Sequence, residues 1–178
     1  MRRQLFRWQT ALFLFLTAGG FLLHAAYGWS GHSALAAAVS AVNESTWEHM
    51  KLLFFPLLFF SPVQLCAMGK NYPNFPAAQA VSAVAGLVLI PVLFYTYTGV
   101  LGRDLHWADV AIFLIAALVT ALLQGRLLWR GSLSAPWQQA AGVLILWGLA
   151  VAFLYCTFHP PALPLFRDPV TLLSGVPK

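Results

Sequence analysis

The 178-residue chain is 60 % apolar and only 8 % charged, with a mean hydropathy of +0.76. A soluble domain carries roughly 25 % charged residues, and disorder needs low hydrophobicity, so both classes are excluded in favour of a multi-pass membrane protein. The net charge of +5 includes no basic block of the length that nucleic acid needs, and two cysteines are too few for a disulfide scaffold or a thiolate metal site.

In chain order, an apolar run over residues 5–27 follows Arg2, Arg3 and Arg7. A signal peptide shares this pattern, but the run exceeds a typical h-region, so an uncleaved first span is expected. The stretch 28–44 is polar and small, with room for a short helix within 33–42. Ser45 and Glu48 read as an N-cap and the third helical position of a capping box, opening a second span over about 45–68. Pro56 and Pro62 lie inside that span and predict a kink or break. The third span, about 77–97, is rich in Ala and Gly and contains Pro91. Its small residues suit close helix contact in lipid and make it the candidate surface for a homo- or hetero-oligomer. The fourth and fifth spans cover about 107–128 and 136–158, and a proline-rich tail follows over 159–178. The expected fold is therefore one all-α domain, residues 1–178, with about five transmembrane helices and the lipid bilayer as its partner.

Basic residues set the orientation. With the N-terminus inside, the inner segments hold Arg2, Arg3, Arg7, Lys70, Arg126 and Arg130 and no acid. The outer segments then hold Glu44, Glu48, Asp104, Asp109 and Asp168, all the carboxylates of the chain, and also all its histidines: His24, His32, His49, His106 and His159. An N-in, C-out topology is expected.

Part of this asymmetry is generic, because acids favour helix N-termini. Even so, His24 lies about one turn inside the first span, and an ionisable group at that depth is a functional candidate. Zinc accepts imidazole nitrogen and carboxylate oxygen, and a catalytic site uses three protein ligands plus water. The candidate ligands are His24, Glu48 and His49, with Asp109 and His159 as further choices; the cofactor is a divalent transition metal such as zinc. Glu48 and His49 point about 100° apart on a helix, which makes joint ligation awkward. Were the helix to begin a turn early, Glu44 and Glu48 would share a face. Lys51, three residues past Glu48, is expected to pair with it, and Trp47 to anchor at the interface. Leu165 and Phe166 are expected to dock on the bundle, with Arg167 and Asp168 as a local salt bridge.

Three stretches carry a resemblance. They are Leu23-His24 with Tyr27-Gly28-Trp29-Ser30-Gly31, then Val42-Asn43-Glu44-Ser45-Thr46-Trp47-Glu48-His49-Met50-Lys51-Leu52, and Phe94-Tyr95-Thr96-Tyr97-Thr98-Gly99. With the tail motif Pro-Leu-Phe-x-Asp-Pro at 164–169, the chain resembles a family of small bacterial multi-pass membrane proteins of unknown function. The resemblance implies a bacterial inner-membrane location and no particular reaction. Gly28 stands where the family leads one to expect a polar or acidic residue.

Two functional classes follow. One is a membrane-embedded, metal-dependent hydrolase acting on a lipid or lipid-linked substrate, with Glu48 and His49 in acid–base or ligand roles and Asn43 or Tyr97 polarising the substrate. The other is a transporter or binding subunit for a small solute or cation, motivated by the prolines inside spans two and three. A structural partner of a larger membrane complex is the plainer alternative.

Overall fold

The computed structural model describes residues 2–176. Its helices are α1 (Arg2–Trp29), α2 (Ala34–Val39), α3 (Thr46–Met68), α4 (Phe75–Leu101), α5 (His106–Arg130) and α6 (Pro136–Phe158). Short 3-10 turns cover Gly69–Asn71 and Pro164–Phe166. Five of the helices are long and apolar enough to cross a membrane. Among the described residues the only extended pairing is an isolated bridge between Arg167 and Ser174.

Local chemistry sets the helix ends. Ser45 caps α3 by accepting from the Glu48 N–H at 3.4 Å. The reciprocal half of the expected capping box is absent: the Ser45 N–H donates to Asn43 Oδ1 at 2.9 Å, and the Glu48 carboxylate turns inward. Gly102 and Gly131 close α4 and α5 in the left-handed conformation, which glycine adopts without a Cβ clash. The amide of Asn74 then ties the start of α4 to the end of α5, donating to the carbonyls of Leu127 at 2.9 Å and Ser132 at 2.8 Å.

The prolines do not interrupt their helices. α3 runs unbroken through Pro56 and Pro62, and α4 through Pro91. A proline removes one backbone hydrogen bond and crowds the preceding turn, and here the flanking turns hold the helix through packing. Gly19 and Gly20 let α1 lie directly against α3; a Cβ on Gly19 would stand 3.0 Å from Pro56 Cβ. The carbonyl of Leu52, which Pro56 cannot satisfy, faces Gly20, 3.1 Å from where a Cβ would sit. The expected break at these prolines is thus not formed.

α4 is the hub of the bundle, packing on α5, α6 and α3, while α1 packs on α3 and α5. The small residues of α4 are used within the chain. Ala78, Ala83 and Gly86 are buried, and Gly86 abuts Leu53 of α3 and the Ala116 carbonyl of α5. Gly142 of α6 sits on the α4 backbone, where a Cβ would lie 2.7 Å from the Pro76 carbonyl oxygen. The main core gathers Leu12, Leu16, Leu53, Phe54, Leu57 and Phe153. Large apolar side chains such as Leu14, Leu22, Leu122, Leu144 and Val151 point outward, as a lipid-facing surface requires.

A smaller cluster at the arginine-bearing end joins Leu5, Met68, Tyr72, Phe75 and Leu128. Burial pushes the Tyr72 phenol above its ordinary value of 10.0. A raised folded pKa means the fold prefers neutral Tyr72, so its contribution is complete below the unfolded pKa and lost as pH rises through the folded one. Stability should therefore fall above about pH 10, and Tyr72→Phe should flatten that alkaline limb. Parallel alkaline slopes for the two proteins, measured by unfolding midpoint against pH in detergent, would contradict the assignment.

Candidate functional site

All the helix ends that carry histidine or carboxylate meet at one end of the bundle. There the C-terminal part of α1, the N-terminal parts of α3 and α5 and the C-terminal part of α4 enclose a cavity of about 430 Å³. Its depth is apolar, formed by Leu52, Ile90, Phe94, Ile112 and Phe113. Its rim is polar, with His24, Glu44, His49, Asp104, His106 and Asp109.

Three of these rim residues form a tight group. Glu44 Oε2 lies 3.4 Å from His49 Nε2 and 3.7 Å from His24 Nε2. One ligand atom from each residue lies within 4.8 Å of the other two. The two imidazole rings are 5.5 Å apart between centroids. Two ligands, each about 2.05 Å from a tetrahedral zinc, lie about 3.3 Å from one another, a separation that the Glu44–His49 pair at 3.4 Å matches.

His49 Nδ1 is 3.0 Å from the Ser45 carbonyl oxygen. A carbonyl only accepts, so Nδ1 carries the proton. In a neutral ring Nε2 then presents its lone pair to the Glu44 carboxylate. Two acceptors at that distance need a cation between them or a second ring proton. A backbone carbonyl fixing the far nitrogen is also the usual outer-shell support of a metal-bound histidine. Glu44 lies outside the spans, and its carboxyl is held below the usual carboxylate range chiefly by the His24 imidazole, with His49 and His106 adding to the effect and partial burial opposing it.

The remaining candidates are placed differently. Glu48, adjacent to His49, points to the other side of α3 and is buried. Its Oε2 accepts from Lys51 Nζ at 2.6 Å and from the Val42 N–H at 3.1 Å. Lys51 donates further to the Ala37 carbonyl at 2.9 Å and Thr157 Oγ1 at 2.8 Å. This fully partnered network binds α2, α3, α6 and the 40–45 loop, and the loop carries Glu44. The helical offset of about 100° per residue separates the two roles. Because α3 begins at Thr46 with Ser45 as cap, Glu44 precedes the helix, and the face it would share with Glu48 does not exist.

Asn43 is not at the cavity; its amide donates to the Gly175 carbonyl at 2.9 Å and anchors the tail. Tyr97 donates to Asp109 Oδ1 at 2.5 Å and accepts from the Leu105 N–H at 3.1 Å, so it positions Asp109 on the cavity wall. His159 is exposed and stacks on Tyr155 at 4.9 Å, away from the cavity. Trp47 packs between Phe153 and Phe166, each at 4.6 Å. Phe166 is buried there and Leu165 packs on the main core. Asp168 makes no ion pair with Arg167; its carboxylate accepts from the Val170 N–H at 2.7 Å and Thr171 Oγ1 at 2.9 Å, which folds Pro169 and Val170 over the cavity mouth.

Asp104 and His106 are rim residues that periodicity did not single out as site residues. Their only sequence signal is a polar loop between two spans. Together, fold and site define a membrane-type helical bundle with a histidine–carboxylate cavity at one end. The chain belongs to DUF6512, a family of unknown function, whose family model matches residues 3–176. No curated protein and no solved structure matches it.

Proposed function

We propose that this is a bacterial inner-membrane protein, N-terminus in the cytoplasm, that binds a divalent transition metal, zinc first among them, through His24, Glu44 and His49 at its outer end. The reading rests on one observation: with the His49 Nδ1 proton directed to the Ser45 carbonyl on the far side of the ring, Nε2 faces the Glu44 carboxylate at 3.4 Å. The cavity beside the three ligands has the amphipathic lining that suits a lipid or lipid-linked substrate. Its apolar depth takes the chain, and its rim takes the polar head. Three protein ligands leave a position for water, and a bound ion of this kind supplies an activated nucleophile near neutral pH. Hydrolysis is the reaction class that fits. Asp109, held by the Tyr97 hydroxyl, offers a proton acceptor on the α5 wall.

Elemental analysis tests the reading. Protein purified without chelator or metal-affinity resin should carry about one transition-metal ion per chain. His24→Ala, Glu44→Ala and His49→Ala should each lose it. His159→Ala, remote from the cavity, should retain it. A metal-free wild-type protein that also fails to take up added zinc would remove the proposal.

A further inference from the structure

Four glutamines stand at one level near the arginine-bearing end of the bundle, one from each of four helices: Gln9 (α1), Gln64 (α3), Gln79 (α4) and Gln124 (α5). All four are buried, three of them at 0–1 % exposure and Gln9 at 7 %. Gln124 Nε2 donates to Gln79 Oε1 at 2.9 Å and to Gln64 Oε1 at 3.3 Å. Gln79 in turn donates to the Leu57 carbonyl at 3.3 Å and to Ser61 Oγ. Gln9 borders the belt: it packs against Gly125, the residue after Gln124, where a Cβ would sit 2.8 Å from Gln9 Cγ, and Gln64 Nε2 donates to the carbonyl of the preceding residue, Trp8, at 3.5 Å.

Amides of this kind glue helices together in lipid, and glue alone would leave no polar atom over. Here three are over: Gln9 Nε2, Gln9 Oε1 and Gln124 Oε1 are buried with no partner. An unpartnered buried amide costs about 1–3 kcal/mol, and lipid offers no relief. The unmet set is one donor group and two acceptors. A bare cation would satisfy only the oxygens and an anion only the nitrogen, so the occupant must both donate and accept.

We propose that the glutamine belt is a buried binding site for ordered water, bridging Gln9 to Gln124 inside the apolar bundle. Water meets the chemistry with the least volume, and buried waters characteristically make about three hydrogen bonds to polar groups of this type. The site is separate from the histidine–carboxylate cavity. Leu12, Leu16 and Leu53 fill the core between them and are fully buried.

Water-edited solid-state NMR on the full chain in liposomes tests this directly. Magnetisation transfer from water to the Gln9 and Gln124 side-chain amides should build up as fast as to exposed Gln4. The signals are assigned from their loss in Gln9→Met and Gln124→Met. Gly125→Ala, which crowds Gln9 out of the belt, should abolish the fast transfer to Gln124 while the bundle stays folded. A build-up in the wild-type protein no faster than at the backbone amide of buried Leu53 would overturn the proposal and leave the belt as dry helix–helix glue.

Discussion

Lys51→Met should lower the unfolding free energy by about 3–5 kcal/mol, the usual effect of removing one member of a buried ion pair. Lys51 has no exposed surface, and all three of its ammonium protons are engaged, by Glu48, Ala37 and Thr157. Without the cation, Glu48 is left as a buried carboxylate supported by the Val42 N–H at 3.1 Å and by Thr157 Oγ1 at 3.3 Å. Adding Glu48→Gln to Lys51→Met should recover part of the loss, because a neutral amide still accepts from Val42 without a bare charge. Denaturant-detergent titration in mixed micelles measures both. A single variant within about 1 kcal/mol of wild type would place the pair in the weak, solvent-exposed class and refute its role in holding the 40–45 loop.

Zinc should stabilise the protein by about 2.7 kcal/mol when free metal exceeds the dissociation constant a hundredfold. The effect follows by linkage, since His24, Glu44 and His49 converge only in the folded chain. Chelator should reverse the shift, and Glu44→Ala should abolish it while leaving the unfolding midpoint without metal near the wild-type value, because Glu44 is half exposed. Lys51→Met should weaken the zinc effect as well as lower the baseline, since it loosens the loop that presents Glu44. Equal zinc-induced shifts in wild type and Glu44→Ala would mean that the metal binds elsewhere.

The architecture was legible because its signals are local. Span length, turn residues such as Gly131, and the Ser45 cap act within a few residues of chain. The pairing of Glu48 with Lys51 was legible for the same reason: a spacing of three on a helix brings two side chains together. Pro56 and Pro62 do not break α3, since a proline's local penalty gives no measure of the packing that offsets it. The place of Glu44 beside His24 and His49 is not legible, because Glu44 precedes the helix, where no periodicity states its direction. Asn43 and Trp47 are both held by a tail more than a hundred residues away, at Gly175 and Phe166, contacts that no local pattern announces.

The glutamine belt marks the boundary most sharply. Each glutamine is an isolated polar residue in an apolar run, and nothing in a single run says that four of them share a level. By itself the sequence determined an all-helical chain with five membrane-length helices and gathered every histidine and carboxylate near one set of helix ends, since composition and hydropathy are sums over neighbours. Which carboxylate meets which histidine, which charge is buried and which is free, and where amides converge were decided only by the tertiary structure. Those contacts join residues on different helices, and their geometry depends on how the helices rotate and slide against one another.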